Sequence, residues 1–92
     1  GVAIPHAKSP VVPRLLTAVG IAPIGVDFGA LDGEPVRIAF LVVTPESVAA
    51  QHVRALASIS RIAIRSGVPE QLIAAKSQRE VLRIIKREEE TL

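Results

Sequence analysis

The apolar stretch Val36–Val43 is the feature that most constrains the fold of this chain. Six of its eight residues are Val, Ile, Leu or Phe, residue types that fit a pleated, buried surface. A continuous apolar run of this length is typical of a central strand covered on both faces. Just before it, Asp32-Gly33 supplies the positive φ angle that a tight hairpin needs. The sequence therefore predicts a sheet with Val36–Val43 in its interior.

Weaker strand patterns precede this stretch. Gly1–Ile4 is short and apolar and reads as the end of a strand, which Pro5 stops because it restricts the residue before it to extended geometry. His6–Pro10 is then predicted to be a loop. Arg14–Val19 has the character of a strand, and Ile21–Phe28 that of an irregular or edge strand because it contains a proline and a glycine.

Helical patterns fill the second half of the chain. A first helix is predicted from Pro45-Glu46 to about Arg65, with Gly67 as its C-terminal cap. A short helix, Glu70–Ala75, follows, and Ser77-Gln78-Arg79-Glu80 is a capping box that begins a last helix. This last helix is predicted to turn Val81, Leu82 and Ile85 inward and to fray at Glu88-Glu89-Glu90. Strands followed by helices predict an α/β fold, a mixed β-sheet flanked by helices, with residues 1–92 in a single domain.

Composition excludes several classes of function. The chain has no cysteine, which excludes a disulfide scaffold, a thiolate zinc site and a cysteine nucleophile. Its aromatic residues are Phe28 and Phe40, too few for base stacking on nucleic acid. The longest strongly apolar run, Ile38–Val43, is far too short to span a membrane. There is also no methionine, so we expect the sequence to be a piece of a longer protein.

Eleven Lys and Arg residues stand against nine Asp and Glu, a net charge of +2. Most of the cations fall in the helical second half, where charged residues ordinarily form solvated helix faces. We therefore expect solvated surfaces, with a nucleic-acid or acidic-partner surface as the less favoured interpretations.

Three side chains are candidates for chemistry. His6 follows a strand that runs into a proline, so its imidazole would be presented from a stiff backbone; residue type alone favours a structural or surface histidine. His52 shares a helix face with apolar residues four positions away on either side. It is either a core-edge histidine satisfied by a backbone carbonyl or a second imidazole beside His6. Lys8 is either solvated or offsets negative charge on a group attached to His6.

The string Gly1-Val2-Ala3-Ile4-Pro5-His6-Ala7-Lys8 resembles the active-site segment of the phosphotransferase-system enzyme IIA domains of the fructose/mannitol type, which include the nitrogen-regulatory IIA proteins. Val26-Asp27-Phe28 with Asp32–Val36 resembles the hairpin of that family, Leu41–Pro45 its central strand and exit, and His52–Ile59 its helix, with Val53 in place of the usual leucine. The resemblance extends over essentially all 92 residues. It implies the C-terminal portion of such a domain, since family members are longer and carry a preceding segment with an arginine that assists the phosphoryl group.

The resemblance implies a cytoplasmic phosphotransferase with no cofactor, no bound metal and no insertion into the membrane. His6 would accept a phosphoryl group from phospho-HPr on its Nε2 atom and pass it to the cysteine of a IIB domain in phosphoenolpyruvate-dependent sugar uptake. His52 would hydrogen-bond the ring or the phosphoryl oxygens, and Lys8 would help to stabilise the phosphoryl group.

Two alternatives stay open at this point. The chain could be a nitrogen-regulatory IIA protein that signals to a target protein through its phosphorylation state. It could also be an interaction module that keeps the fold without the chemistry. Phosphorylation of the chain would separate the second alternative from the carrier function.

Overall fold

Strands occupy the first half of the chain and helices the second, as the apolar patterns predict. The computed structural model describes all residues, Gly1–Leu92. The order of elements is β1 (Val2–Ala3), β2 (His6–Ser9), β3 (Leu16–Val26), β4 (Val36–Pro45), α1 (Ala49–Ala63), α2 (Val68–Ala74) and α3 (Gln78–Glu89). None of the three helices is both long and apolar enough to span a membrane.

Strand β4 is the central strand of a four-stranded mixed sheet. On one edge it pairs antiparallel with β3, with Leu16 opposite Val43. On the other edge it pairs parallel with β1 and β2, with Val2 opposite Ile38 and His6 opposite Val42. The offset between partners is the same for β1 and β2, so these two short strands continue one another along that edge. The predicted mixed sheet with flanking helices is confirmed.

The predicted loop at His6–Pro10 is wrong, because His6–Ser9 forms strand β2. Pro5 lacks an N–H and removes one possible ladder hydrogen bond. Its carbonyl still accepts a hydrogen bond from the Val42 N–H at 2.9 Å. The pairing with β4 therefore resumes at His6, and the imidazole is carried by an edge strand.

Only one face of β4 is fully covered, which corrects the prediction of a strand buried on both faces. Alternate residues, from Val36 to Thr44, are buried, whereas Arg37 and Leu41 between them are exposed. The buried residues Ile38 and Phe40 pack in one cluster with residues of all three helices: Ile62, Ala63, Val68, Leu72 and Ile84. The helices thus lie together on one face of the sheet, and the core lies between them and β4.

Strand β3 is one irregular strand of 11 residues rather than the two predicted strands. Its register with β4 shifts between Ile21 and Val26. Pro23 in this segment has no N–H for the ladder, and its carbonyl accepts a hydrogen bond from the Arg37 side chain at 3.2 Å. Gly25 adopts φ 95°, a conformation that favours glycine. The predicted irregularity is confirmed at the proline and the glycine that motivated it.

The Asp32-Gly33 turn forms within a longer connection than a tight hairpin. Gly33 has φ 73°, and its N–H donates to the Ala30 carbonyl at 3.0 Å. The strands on either side end at Val26 and begin again at Val36. The turn is therefore where the sequence places it, but it does not by itself join the two strands.

Helix α1 begins later than predicted and ends before Gly67. Pro45 is the last residue of β4, paired with Ser9, so the helix begins only at Ala49. Gly67 does have a positive φ, 84°, but it precedes α2 as its N-cap rather than ending α1, whose C-cap is Ile64. Strand pairing extends β4 and displaces the helix start.

Helix α3 confirms the predicted capping residue and corrects the predicted inner face. The Ser77 hydroxyl accepts a hydrogen bond from the Glu80 N–H at 3.1 Å. Ile84 is buried, whereas Leu82 is 65% exposed. The inward stripe is Val81, Ile84 and Ile85, whose three- and four-residue spacing follows the helical period, and Leu82 lies outside it.

The C-terminal end of α3 is held in place rather than frayed. The Glu88 carboxylate lies 3.2 Å from an Arg65 guanidinium nitrogen and 3.1 Å from Nε of Arg87. The hydrogen bond from Arg65, followed by that from Arg87, lowers the pKa of Glu88 below its ordinary value of 4.5. The Arg65–Glu88 ion pair links the end of α3 to the turn that follows α1.

Candidate active site

Two histidines from different elements meet at one end of the sheet. His6 opens β2 opposite Val42 of β4, so its side chain shares the helix-covered face with Val42. His52 lies one turn into α1, the helix that follows β4. The two ring centroids are 5.6 Å apart, with the ring planes inclined at 59°. Strand pairing and the strand-to-helix connection together bring these distant residues side by side.

A backbone hydrogen bond sets the proton position on His6. Its Nδ1 lies 2.8 Å from the carbonyl oxygen of Ile4. A carbonyl can only accept, so Nδ1 carries the hydrogen and donates it. In the neutral ring Nε2 then keeps its lone pair. His6 is exposed, so the structure presents an imidazole with an available nucleophilic nitrogen.

His52 differs from His6 in being buried, with 7% of its surface exposed. Its Nδ1 lies 2.6 Å from the Thr44 hydroxyl. The expected backbone carbonyl partner is therefore wrong, because a side chain on β4 satisfies this ring. Thr44 was missed by the sequence analysis. Its signal was a polar residue in step with the inward apolar residues of β4: Val36, Ile38, Phe40 and Val42.

Lys8 lies on the same strand face as His6, two residues further along β2. It is opposite Thr44 in the register with β4. Its side chain is exposed, and it takes part in neither of the two salt bridges. The structure therefore brings Lys8 to the same end of the sheet without fixing its ammonium group against either imidazole.

The site contains no group of three His, Cys, Asp or Glu side chains that could hold a metal ion. The groups available for chemistry are the Nε2 lone pair of His6 and the imidazole of His52 beside it. Such a pair can act as a nucleophile with a neighbouring hydrogen-bond donor.

Residues 1–88 match the family described as phosphoenolpyruvate-dependent sugar phosphotransferase system, EIIA 2. The PTS system fructose-specific EIIABC component of Bacillus subtilis is 35% identical over 85 residues, which cover 92% of this chain and 13% of that protein. A nitrogen regulatory protein of Bradyrhizobium diazoefficiens is 32% identical over 85 residues, which cover 92% of this chain and 56% of the relative.

The fold also matches a crystal structure, that of nitrogen regulatory protein IIA-Ntr from Neisseria meningitidis. The TM-score is 0.86 at 30% sequence identity, over 92% of this chain and 58% of the other. The chain therefore belongs to the EIIA 2 family of the phosphoenolpyruvate-dependent sugar phosphotransferase system, as its active-site-like first segment predicts. It spans little more than half the length of the nitrogen regulatory relatives that it matches.

Proposed function

We propose that this chain is a phosphoryl carrier in which Nε2 of His6 accepts a phosphoryl group from phospho-HPr. The observation that carries the proposal is the hydrogen bond from His6 Nδ1 to the Ile4 carbonyl at 2.8 Å. It leaves the Nε2 lone pair free on an exposed ring. Membership of the EIIA 2 family supports the reaction class.

The phosphoryl transfer from phospho-HPr to His6 needs no added acid or base. The Nε2 lone pair of His6 forms a bond to phosphorus while the phosphorus–nitrogen bond of the donor's protonated phosphohistidine breaks. The bonding electrons return to the donor ring, which becomes a neutral imidazole. The phosphorylated His6 ring now carries the positive charge, and its Nδ1–H remains bonded to the Ile4 carbonyl, an interaction that strengthens when the donor is charged.

In the second transfer, the phosphoryl group passes from His6 to a cysteine sulfur by the same kind of displacement. A cysteine thiolate of a IIB domain attacks phosphorus, the nitrogen–phosphorus bond breaks, and its electrons return to Nε2 of His6. Phosphoryl transfer of this kind depends mainly on positioning and on stabilising charge on the phosphoryl oxygens. We assign those tasks to His52, whose ring lies beside His6, and to a smaller extent to the exposed Lys8, whose effect is screened by solvent.

A regulatory role is the second candidate, and a specific observation favours it. A solved structure that the chain resembles at a TM-score of 0.86 is a nitrogen regulatory protein. In that case the same His6 would be phosphorylated, but the added negative charge would alter binding to a target protein instead of feeding a transporter. The two candidates share the site and differ in the recipient.

The test is the intact mass of the chain at alkaline pH after incubation with phosphoenolpyruvate, enzyme I and HPr. We expect one added phosphoryl group, absent from His6→Ala. Because His6 is exposed on an edge strand, this variant should keep the wild-type circular dichroism spectrum. A phosphorylated His6→Ala variant would contradict the assignment of His6 as the acceptor. A folded wild-type chain that stays unmodified would contradict the carrier function and favour the interaction module.

Adding a IIB domain then separates the two candidates. A sugar-transport carrier should lose its phosphoryl group to the IIB domain, and replacement of the IIB cysteine by serine should prevent this loss. A regulatory protein should keep the group under the same conditions.

A further inference from the structure

Thr44 and His52 are the two buried polar side chains of the chain, and they bond to each other. Thr44 is 0% exposed and His52 is 7% exposed. Their polar atoms, Thr44 Oγ1 and His52 Nδ1, are 2.6 Å apart. The proposed phosphoryl transfer uses His52 but gives no role to Thr44, which is hydrogen-bonded to it.

The direction of this hydrogen bond follows from what surrounds the hydroxyl. A threonine hydroxyl has one hydrogen to donate, and His52 Nδ1 is the single partner of Thr44 Oγ1. If Nδ1 were the donor, the buried hydroxyl hydrogen would have no acceptor, which is unfavourable. If the hydroxyl donates, both buried groups are satisfied, and the proton of the neutral His52 ring resides on Nε2.

We infer that Thr44 is a positioning residue, which holds His52 in the tautomer whose Nε2–H can donate to the phosphoryl group on His6. This inference rests on the proposed function. The two neighbouring rings then have complementary forms: His6 offers a lone pair from Nε2, and His52 offers a hydrogen from Nε2. A donor fixed before the reaction stabilises charge on a transferring group without reorganisation.

The position of Thr44 on β4 explains how its hydroxyl can orient the His52 ring. Thr44 is on the inward side of β4, in step with Val42, which is opposite His6. The hydroxyl is thus attached to the same rigid strand that positions His6. A side chain held by packing on a central strand fixes a ring more precisely than a loop residue would.

The first experiment measures the tautomer and needs no phosphoryl donor. Long-range nitrogen–proton NMR spectra of the uniformly ¹⁵N-labelled chain distinguish a ring nitrogen that bears hydrogen from one that does not. We expect His52 to show a hydrogen on Nε2 and an unprotonated, hydrogen-bonded Nδ1, and we expect the Nδ1 resonance to shift in Thr44→Val. A hydrogen on Nδ1 of His52 in the wild-type chain would overturn the inference.

The second experiment measures single-turnover transfer from phospho-HPr in three forms of the chain. Thr44→Val keeps the branched shape and removes the hydroxyl, whereas Thr44→Ser keeps the hydroxyl. We expect the maximal transfer rate of Thr44→Val to fall about tenfold, the size associated with one orienting hydrogen bond. The phospho-HPr concentration that gives half the maximal rate should change little. Thr44→Ser should restore most of the rate.

The outcomes separate this inference from the proposed function. If Thr44→Val transfers at the wild-type rate while His6→Ala is inactive, Thr44 has no positioning role and the carrier function stands. If the loss in Thr44→Val is not restored by Thr44→Ser, the side-chain hydroxyl is not the cause and the inference is wrong. If no form is phosphorylated, the carrier proposal fails, whereas the NMR spectrum still decides the direction of the hydrogen bond.

Discussion

Ile84 and Leu82 lie two residues apart on α3, and replacing each by alanine should have very different effects on stability. Ile84 is 6% exposed and belongs to the core cluster, whereas Leu82 is 65% exposed. Ile84→Ala removes three buried carbon atoms, at about 0.8 kcal/mol each. Adding the cost of the resulting cavity gives a loss of about 3 kcal/mol in the free energy of unfolding. Leu82→Ala should cost less than about 1 kcal/mol.

The loss at Ile84 is large relative to the total stability of such a chain, about 5–14 kcal/mol at this length. Because the chain has no Trp and no Tyr, urea unfolding is best followed by far-ultraviolet circular dichroism. At slopes of about 1–2 kcal/mol/M, the midpoint of Ile84→Ala should fall by roughly 1.5–3 M with the slope unchanged. An equal or larger loss in Leu82→Ala would refute the assignment of the inward face of α3.

Two further predictions concern the site and the end of α3. His52→Ala should slow transfer from phospho-HPr about 10²-fold, the effect of removing one prearranged donor, while the intact mass still reaches one phosphoryl group; an unchanged rate would make His52 purely structural. The pKa of Glu88 is lowered in the folded state, so its stabilising effect is complete above pH 4.5 and is lost as the pH falls through the lowered value. Urea unfolding should accordingly show Glu88→Gln to be destabilised at about pH 7, by an amount that shrinks as the pH falls below 4.5; a difference that stays constant in acid would contradict this reasoning.

Local patterns in the sequence were sufficient where short-range chemistry decides the structure. The order of strands and helices, the Ser77 cap and the positive φ at Gly33 all depend on residues within a few positions of one another. The same is true of the Ile4-Pro5-His6 segment, whose hydrogen bond between Nδ1 and the Ile4 carbonyl spans two residues. Such features do not require knowledge of what packs against them.

Other assignments failed because distant residues decide them. His6–Ser9 reads as a loop by itself, but pairing with Val42–Pro45 of β4 makes it a strand. That pairing also carries β4 to Pro45 and delays the start of α1. The hydrogen bonds of β2 come from β4, which lies more than thirty residues further along the chain. Local strand propensity cannot predict such a distant partner.

The sequence by itself indicated the class of the protein and the candidate nucleophile, because the Gly1–Lys8 segment resembles the active-site segment of the family. The same segment holds His6 two residues from the backbone carbonyl that orients it. Only the tertiary structure decided what surrounds that histidine. It placed the ring centroid of His52 5.6 Å from that of His6 and brought His52 into a hydrogen bond with Thr44. The physical reason is that a buried polar group must find its partner in the packed interior, and the choice of partner depends on strand register and on helix docking together.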